Sequence, residues 1–459
     1  KPGSLALALE TAFEKNNNYA ISRMINSHSL EKLDLKFNHK TIARKIETEA
    51  PDNGSISIET IENPDYSGKS ILENFLEKQP FNISSMITTK TNPMGSVCFD
   101  GDSIEFVTKY FENRTIEESC NELITTKNLF VDKINESKVL EEKLHFPAYN
   151  SGLNMFMSNQ ENIVLFNNGT YHFHITLPTL TQNSRIVDYD TFDKTHANAM
   201  YLLQWFQPLF IATLGSPDIM GVISEKFNLD KNYALGSMRN AMSRYIGVGT
   251  YNKVMPKGKI LTYKVEDFRK LLKFTKEENI WWRDQIENDM EYNLLSDVGL
   301  DFNQEKMYQS GFEFRSFDEF PISYLEDVLY ALLLICEHSL NVTDVAWGHD
   351  SKVWNNIIFK SLKHGYTTEM NAEEKAEVLE VLQLTNFKSE FEAIVLLDEF
   401  FFKILEVLHD KYKDNNVCIN AMSNQKRDHF TRWNNFNKFQ IEQHKKQIEM
   451  VGLEAKISS

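Results

Sequence analysis

Cysteine is scarce in this chain: four in 459 residues, at Cys98, Cys120, Cys336 and Cys418. None belongs to a Cys-x-x-Cys pair and no histidine cluster surrounds them, which excludes a disulfide scaffold and a zinc ribbon. The thiols read as buried and reduced, as in a cytoplasmic protein. Long apolar runs are also missing. The longest, Leu-Tyr-Ala-Leu-Leu-Leu-Ile-Cys over residues 329–336, falls far short of the ~20 residues that span a bilayer. No secretory signal pattern is visible. Basic side chains are outnumbered, 49 against 65 acidic, for a net charge of −16. Phosphate would be repelled on average, which argues against a general nucleic-acid or anionic-membrane binder. No GxxxxGK[ST] or GxGxxG string occurs, so a glycine loop at a helix N-terminus holds no nucleotide here. No internal repeat and no low-complexity tract stands out.

What is present is the balance of a folded soluble protein, 42% hydrophobic and 25% charged, long enough for one large domain or a core with a second one. Residues 5–13 are a short apolar stretch, and residues 16–95 are polar. Asp100-Gly101-Asp102 is a turn signal leading into a strand-like run at residues 103–108. Residues 110–144 have a helical pattern. Asn167-Asn168-Gly169 turns into an alternating run, residues 170–177, which predicts a strand ended by Pro178. Residues 196–214 predict a strongly apolar helix, kinked at Pro208 and stopped by Gly215-Ser216-Pro217. Residues 311–318 alternate again as a strand. After Pro321 the pattern turns helical, over 322–340, 372–412 and 420–450.

Several side chains could carry chemistry. His172 and His174 are two apart on a predicted strand, so both rings share a face that can bind a metal or a phosphate. Paired surface histidines have the same pattern. Glu313 and Arg315 repeat the spacing, as a phosphate-and-metal pair or as an ion-pair ladder on an exposed strand. Glu105 interrupts an apolar run, facing outward by alternation or into a cation-holding cavity. Arg239 and Arg244 lie five apart in a loop that could grip phosphate or carboxylate through guanidinium forks.

The order of these strings resembles the glutamine synthetase / glutamate–cysteine ligase superfamily, closest to its glutamate–cysteine ligase and putative amidoligase branch. Gly169-Thr170-Tyr171-His172-Phe173-His174-Ile175-Thr176-Leu177 resembles that family's G-x-x-H-x-H-x-S-L strand. The segment from Ser237 to Arg244 is similar to its S-x-R-N loop. Glu313-Phe314-Arg315 with Asp318 resembles its E-x-R-x-x-D strand, and Asp100 to Thr108 its D-G-S…E-x-V-T segment. The family's E-x-E strand finds its counterpart at Ala8-Leu9-Glu10, where Ala8 replaces the first glutamate.

The resemblance implies an α+β fold: a curved, mainly antiparallel sheet with helices on its convex side. It places a ligase-like core at residues 1–321, with insertions at about 14–95 and 251–310; residues 322–459 match nothing in that family and read from their own periodicity as a helical C-terminal region. It implies an ATP-dependent carboxylate–amine (or thiol) ligase acting through an acyl phosphate. Glu10, Glu105, His172 and Glu313 would hold Mg2+ or Mn2+, and His174 and Arg315 would contact the phosphates. Arg239, Arg244 and Arg315 would serve substrate and transferred phosphoryl. The partners expected are small-molecule or peptide carboxylates and amines, not nucleic acid or membrane, with a homo-oligomer or protein contact through 322–459. Ala8 motivates a second reading, a catalytically impaired scaffold or protein-interaction module. A third is a metal enzyme built on His172 and His174.

Overall fold

The computed structural model describes residues 96–100, 103–108, 115–136, 171–178, 180–182, 185–217, 222, 235–237, 240, 302–303, 312–314, 316–318, 320–348, 351–414, 433 and 436–450. The chain divides into two compact units. The first comprises residues 1–169, 263–287 and 444–459, the second residues 170–262 and 288–443.

In the first unit, strands β1 (Val97–Asp100) and β2 (Ser103–Phe106) form an antiparallel hairpin around the predicted Asp-Gly-Asp turn. Helix α1 (Ile116–Glu136) follows. Its start is a capping box: Glu118 N–H donates to Thr115 Oγ1 at 3.1 Å, and Thr115 N–H donates to the Glu118 carboxylate at 2.9 Å. This Thr-x-x-Glu exchange satisfies two backbone donors that a helix start otherwise leaves open. The edge of the Phe106 ring meets Phe130 with centroids 5.5 Å apart, which fixes α1 on the hairpin.

The second unit is built around one helix. Strand β3 (Phe173–Ile175) precedes a small hairpin, β4 (Thr181–Gln182) and β5 (Arg185–Ile186), and then α2 (Tyr189–Leu214). Strands β6 (Phe302–Asn303) and β7 (Phe312–Phe314) follow. A 3-10 turn at Ile322–Tyr324 opens α3 (Leu325–Ser339). Next come α4 (Lys352–His364), α5 (Ala372–Val381), the one-turn α6 (Lys388–Phe391), α7 (Leu397–Tyr412) and α8 (Phe436–Met450), of which the residues up to Gln443 belong to this unit. Helices α3, α4 and α7 all pack on α2, α3 also packs on α7, and α5 packs on α4.

Why α2 is central is visible in its composition. From Ala199 to Leu214 every residue but Tyr201 is buried. A helix apolar on all sides must be enclosed, because no face is suited to water. Each large side chain so covered stabilises by about 1.5–3 kcal/mol. Asp188 caps its start, its carboxylate accepting from Thr191 N–H at 3.0 Å. The helix runs through Pro208, which has no N–H for the Gln204 carbonyl four residues back. That carbonyl accepts instead from the Trp354 indole of α4, at 2.9 Å. The same glutamine's Oε1 accepts from Gly348 N–H at 2.7 Å. A Cβ at Gly348 would stand 2.9 Å from both Gln204 Oε1 and the Trp354 ring.

These observations correct the expected sheet core. Among the described residues the strands are two to four residues long and fall into three separate sheets, β1–β2, β4–β5 and β3–β7–β6. No curved sheet with a concave face exists there. The apolar side chains that such a sheet would bury line α2, α3, α4 and α7 instead. The resemblance to the glutamine synthetase / glutamate–cysteine ligase superfamily, a sheet-core fold, is overturned by this helical architecture. The predicted strands at residues 103–108, 170–177 and 311–318 do exist, in shorter form. The helices predicted over 196–214 and 322–340 are also present, and the first begins seven residues earlier, at Tyr189.

Candidate functional site

The residues singled out from the sequence have different fates. Glu10, Arg239, Arg244 and Arg315 lie outside the described residues, as does Ala8. Glu105 belongs to β2, in the first unit. His172 stands just before β3 and is half-buried; His174 lies within β3 and is exposed. Glu313 belongs to β7, where it is the direct register partner of His174. The antiparallel pairing therefore joins the His-x-His string to the Glu-x-Arg string at two backbone positions, Phe173 with Phe314 and His174 with Glu313. Among the described residues, however, no group of three or more His, Cys, Asp or Glu side chains could hold a metal ion. With the sheet core absent as well, the ATP-dependent ligase and its acyl-phosphate chemistry are overturned.

The flanking polar residues of two of those strings do meet, at the C-terminal end of α2. Asn240 donates through its backbone N–H and its Nδ2 to Ser237 Oγ, at 3.1 and 2.8 Å. Asn240 Nδ2 also donates to the Ser316 carbonyl at 3.0 Å. Gln207 Nε2 of α2 donates to Ser316 Oγ at 2.7 Å, and Ser216 N–H donates to the Asp318 carboxylate at 2.8 Å. All six side chains are buried. Among the described residues, Ser216 Oγ and Asn240 Oδ1 have no hydrogen-bond partner.

Asn437, on α8, was not read from the sequence at all. Its Nδ2, with two hydrogens to share, lies within hydrogen-bond distance of three carbonyls, Gly215 at 2.8 Å, Leu235 at 2.8 Å and Gly236 at 3.0 Å. Its Oδ1 accepts from Tyr366 N–H at 3.0 Å. One carboxamide thus ties three chain crossings to α8. Glycine is required at two of them. Gly365 has φ +56°, and a Cβ there would overlap Asn437 Oδ1; a Cβ at Gly236 would overlap the Ser361 carbonyl oxygen. No motif announces such a residue, since an asparagine within a polar helix looks like a surface residue.

Histidines are used structurally too. His196 Nε2 accepts from Leu177 N–H at 3.0 Å while Nδ1 lies 2.8 Å from the Phe192 carbonyl. An acceptor at Nε2 puts the proton on Nδ1, so the ring is neutral, and burial lowers its pKa. His338 bridges α3 to the Leu382 carbonyl at 2.7 Å and to the Tyr412 hydroxyl of α7 at 2.8 Å. The carbonyl can only accept, so Nε2 carries the proton and Nδ1 accepts from Tyr412. Burial pushes this histidine down to about 4 and raises the Tyr412 phenol. A second Tyr–His bond, Tyr330 to His409, parallels it, with the Tyr330 phenol pushed up to about 12 by burial.

The N-terminal end of α2 is built in the opposite sense. Leu180 and Val187 face each other across the β4–β5 hairpin, Val187 N–H donating to the Leu180 carbonyl at 3.0 Å. They are 74% and 51% exposed, and Tyr189, at the first position of α2, is 47% exposed. Six large hydrophobic residues are exposed among the described residues, and these are three of them. Among the described residues β4 and β5 pair only with each other. The turn-forming Asn183-Ser184 between two short β-prone pairs is the sequence signal that could have found the hairpin.

Comparison with known proteins gives one clear relationship. The chain is 32% identical over 422 residues to uncharacterized protein R704 of Acanthamoeba polyphaga mimivirus, an alignment covering 90% of this chain and 68% of the viral protein. The chain belongs to the R704 family. No protein-family model matches it, and no solved structure does. The alignment is long enough to take in residues of both units, so the R704 family shares more than one local motif. The name of the viral relative states no activity.

Proposed function

We propose that this chain is a helical protein-interaction module, a scaffold that presents a docking hairpin at the N-terminal end of α2. The observation that carries the reading is the concentration of exposed apolar side chains at Leu180, Val187 and Tyr189. Contiguous exposed apolar surface on a soluble protein marks a place where another surface belongs. The rest of the described second unit supports it. Polar groups that could do chemistry, such as Asn437, Asn240, His196 and His338, hold the frame together through buried hydrogen bonds. Cys120 and Cys336 are buried, and the chain's few cysteines, four in 459 residues, support a reducing, cytoplasmic setting. No helix of the described residues is long and apolar enough to cross a membrane.

The test is native size-exclusion chromatography of the full chain at its natural expression level, with mass spectrometry of the peak. A stoichiometric complex with a second polypeptide is expected, and it should be lost in a Leu180→Ser/Val187→Ser variant that still melts as the wild type does. Elution as a free monomer, together with turnover of Mg-ATP, would sink the reading. A thermal shift with Mg-ATP is the companion measurement. The interaction reading needs none.

A further inference from the structure

Resting on that reading, we infer that the hairpin's partner is an extended, cationic protein segment, one that adds a strand beside β4 or β5 and alternates apolar residues with Lys or Arg. Three features argue for this chemistry. The two strands form a sheet of their own, with no third strand among the described residues. Their outer edges present the backbone groups that strand addition uses. The apolar pair Leu180/Val187 lies on one face, because residues opposed across an antiparallel ladder share a side. An added strand would lay every second side chain against that face. Among the side chains described on the adjoining surface, Asp188, Asp190 and Asp193 are exposed beside Lys194, and Arg185 belongs to β5 itself. Asp188 stays ionised, its carboxyl held below the usual range by the Thr191 hydroxyl and N–H.

The same charges disfavour a second copy of this chain as occupant. A two-fold pairing of hairpins would bring the aspartates of both copies together, and each chain already carries −16. A basic segment turns that repulsion into attraction and speeds encounter, with a salt dependence that a purely apolar contact lacks.

The experiment uses the full chain and three fluorescein-labelled seven-residue peptides: alternating Lys and Val, alternating Glu and Val, and alternating Lys and Ser. Anisotropy titrations at low and at physiological salt are compared. The Lys/Val peptide should bind about tenfold or more tighter than either other peptide, weakening as salt rises. Leu180→Ser/Val187→Ser should abolish the preference for Val over Ser, and Asp190→Asn/Asp193→Asn should weaken the Lys/Val peptide severalfold. Equal binding of the Lys/Val and Lys/Ser peptides, or unchanged binding by the Leu180/Val187 variant, overturns the inference. So does concentration-dependent self-association in sedimentation that this variant removes, which would make the occupant a second copy. Binding to neutral phosphatidylcholine vesicles that the variant removes overturns it in favour of a lipid surface. If the native complex disappears in the Leu180/Val187 variant while the peptides show no charge preference, only the partner's chemistry is wrong. If the native complex survives that variant, the docking reading itself falls.

Discussion

The two ends of α2 are opposites. At its C-terminal end, polar side chains are buried: Ser216, Ser237, Asn240, Ser316 and Asp318 are sealed inside and joined to one another and to the helix. At its N-terminal end, apolar side chains are exposed at Leu180, Val187 and Tyr189. Each end departs from the ordinary partition of side chains, and for a different reason. Buried polar groups are kept where several chain segments cross and leave backbone carbonyls to satisfy. Exposed apolar groups bring no such local gain, and the docking proposal gives these three a use.

The contrast can be broken hardest at Asn437. Asn437→Leu should destabilise the second unit by about 3–5 kcal/mol, because it strands three carbonyls and an N–H in the interior. The urea midpoint measured on the full chain checks it, and a loss under 1 kcal/mol would deny Asn437 its role. Acid comes next. His338 is held at about 4 against 6.5 in the unfolded chain, so the unfolded chain takes up the proton first as pH falls. Stability is full above pH 6.5 and declines between 6.5 and 4 by about 3 kcal/mol from this group alone. His196 is shifted in the same direction and adds to the loss. Urea midpoints across that window should fall, and His338→Gln should flatten the slope. Trp354→Phe is milder. It leaves the Gln204 carbonyl without its donor and should cost about 1–3 kcal/mol with the helix content unchanged. At the opposite end, Leu180→Ser should change the stability by less than about 0.5 kcal/mol while removing the docking behaviour. A large loss there would mean that Leu180 belongs to the core.

The sequence reading succeeded where a local signal exists. The end of α2 at Gly215 was legible because a glycine-serine-proline string follows a long apolar run, and α3 was legible from its unbroken apolar period. The run at 372–412 reads as one helix but is three. Its first break lies at Gln383, which takes φ 53° where a glycine would normally sit, with Leu384 N–H closing back on the Leu379 carbonyl at 2.8 Å. Glutamine at that position hides the stop.

The functional reading failed for a related reason. Short alternating strings such as His172-Phe173-His174 and Glu313-Phe314-Arg315 describe one face of one strand; that His174 pairs with Glu313 is a register that only the structure shows. They carry no information on how many further strands join, and here the described strands stop at three. The apolar length that decides the architecture lay in α2, which that comparison treated as a backing helix.

The bond from the Trp354 indole to the carbonyl left open by Pro208 gives this protein an optical gauge. Trp354 and Trp205 are fully buried, and both indoles donate to main-chain oxygens, Trp205 to Ala346 at 2.8 Å. Prying α4 off α2 wets the first ring and should redden its emission while far-ultraviolet dichroism stays level. A denaturant series followed by both signals would separate the parting of the two helices from the melting of either.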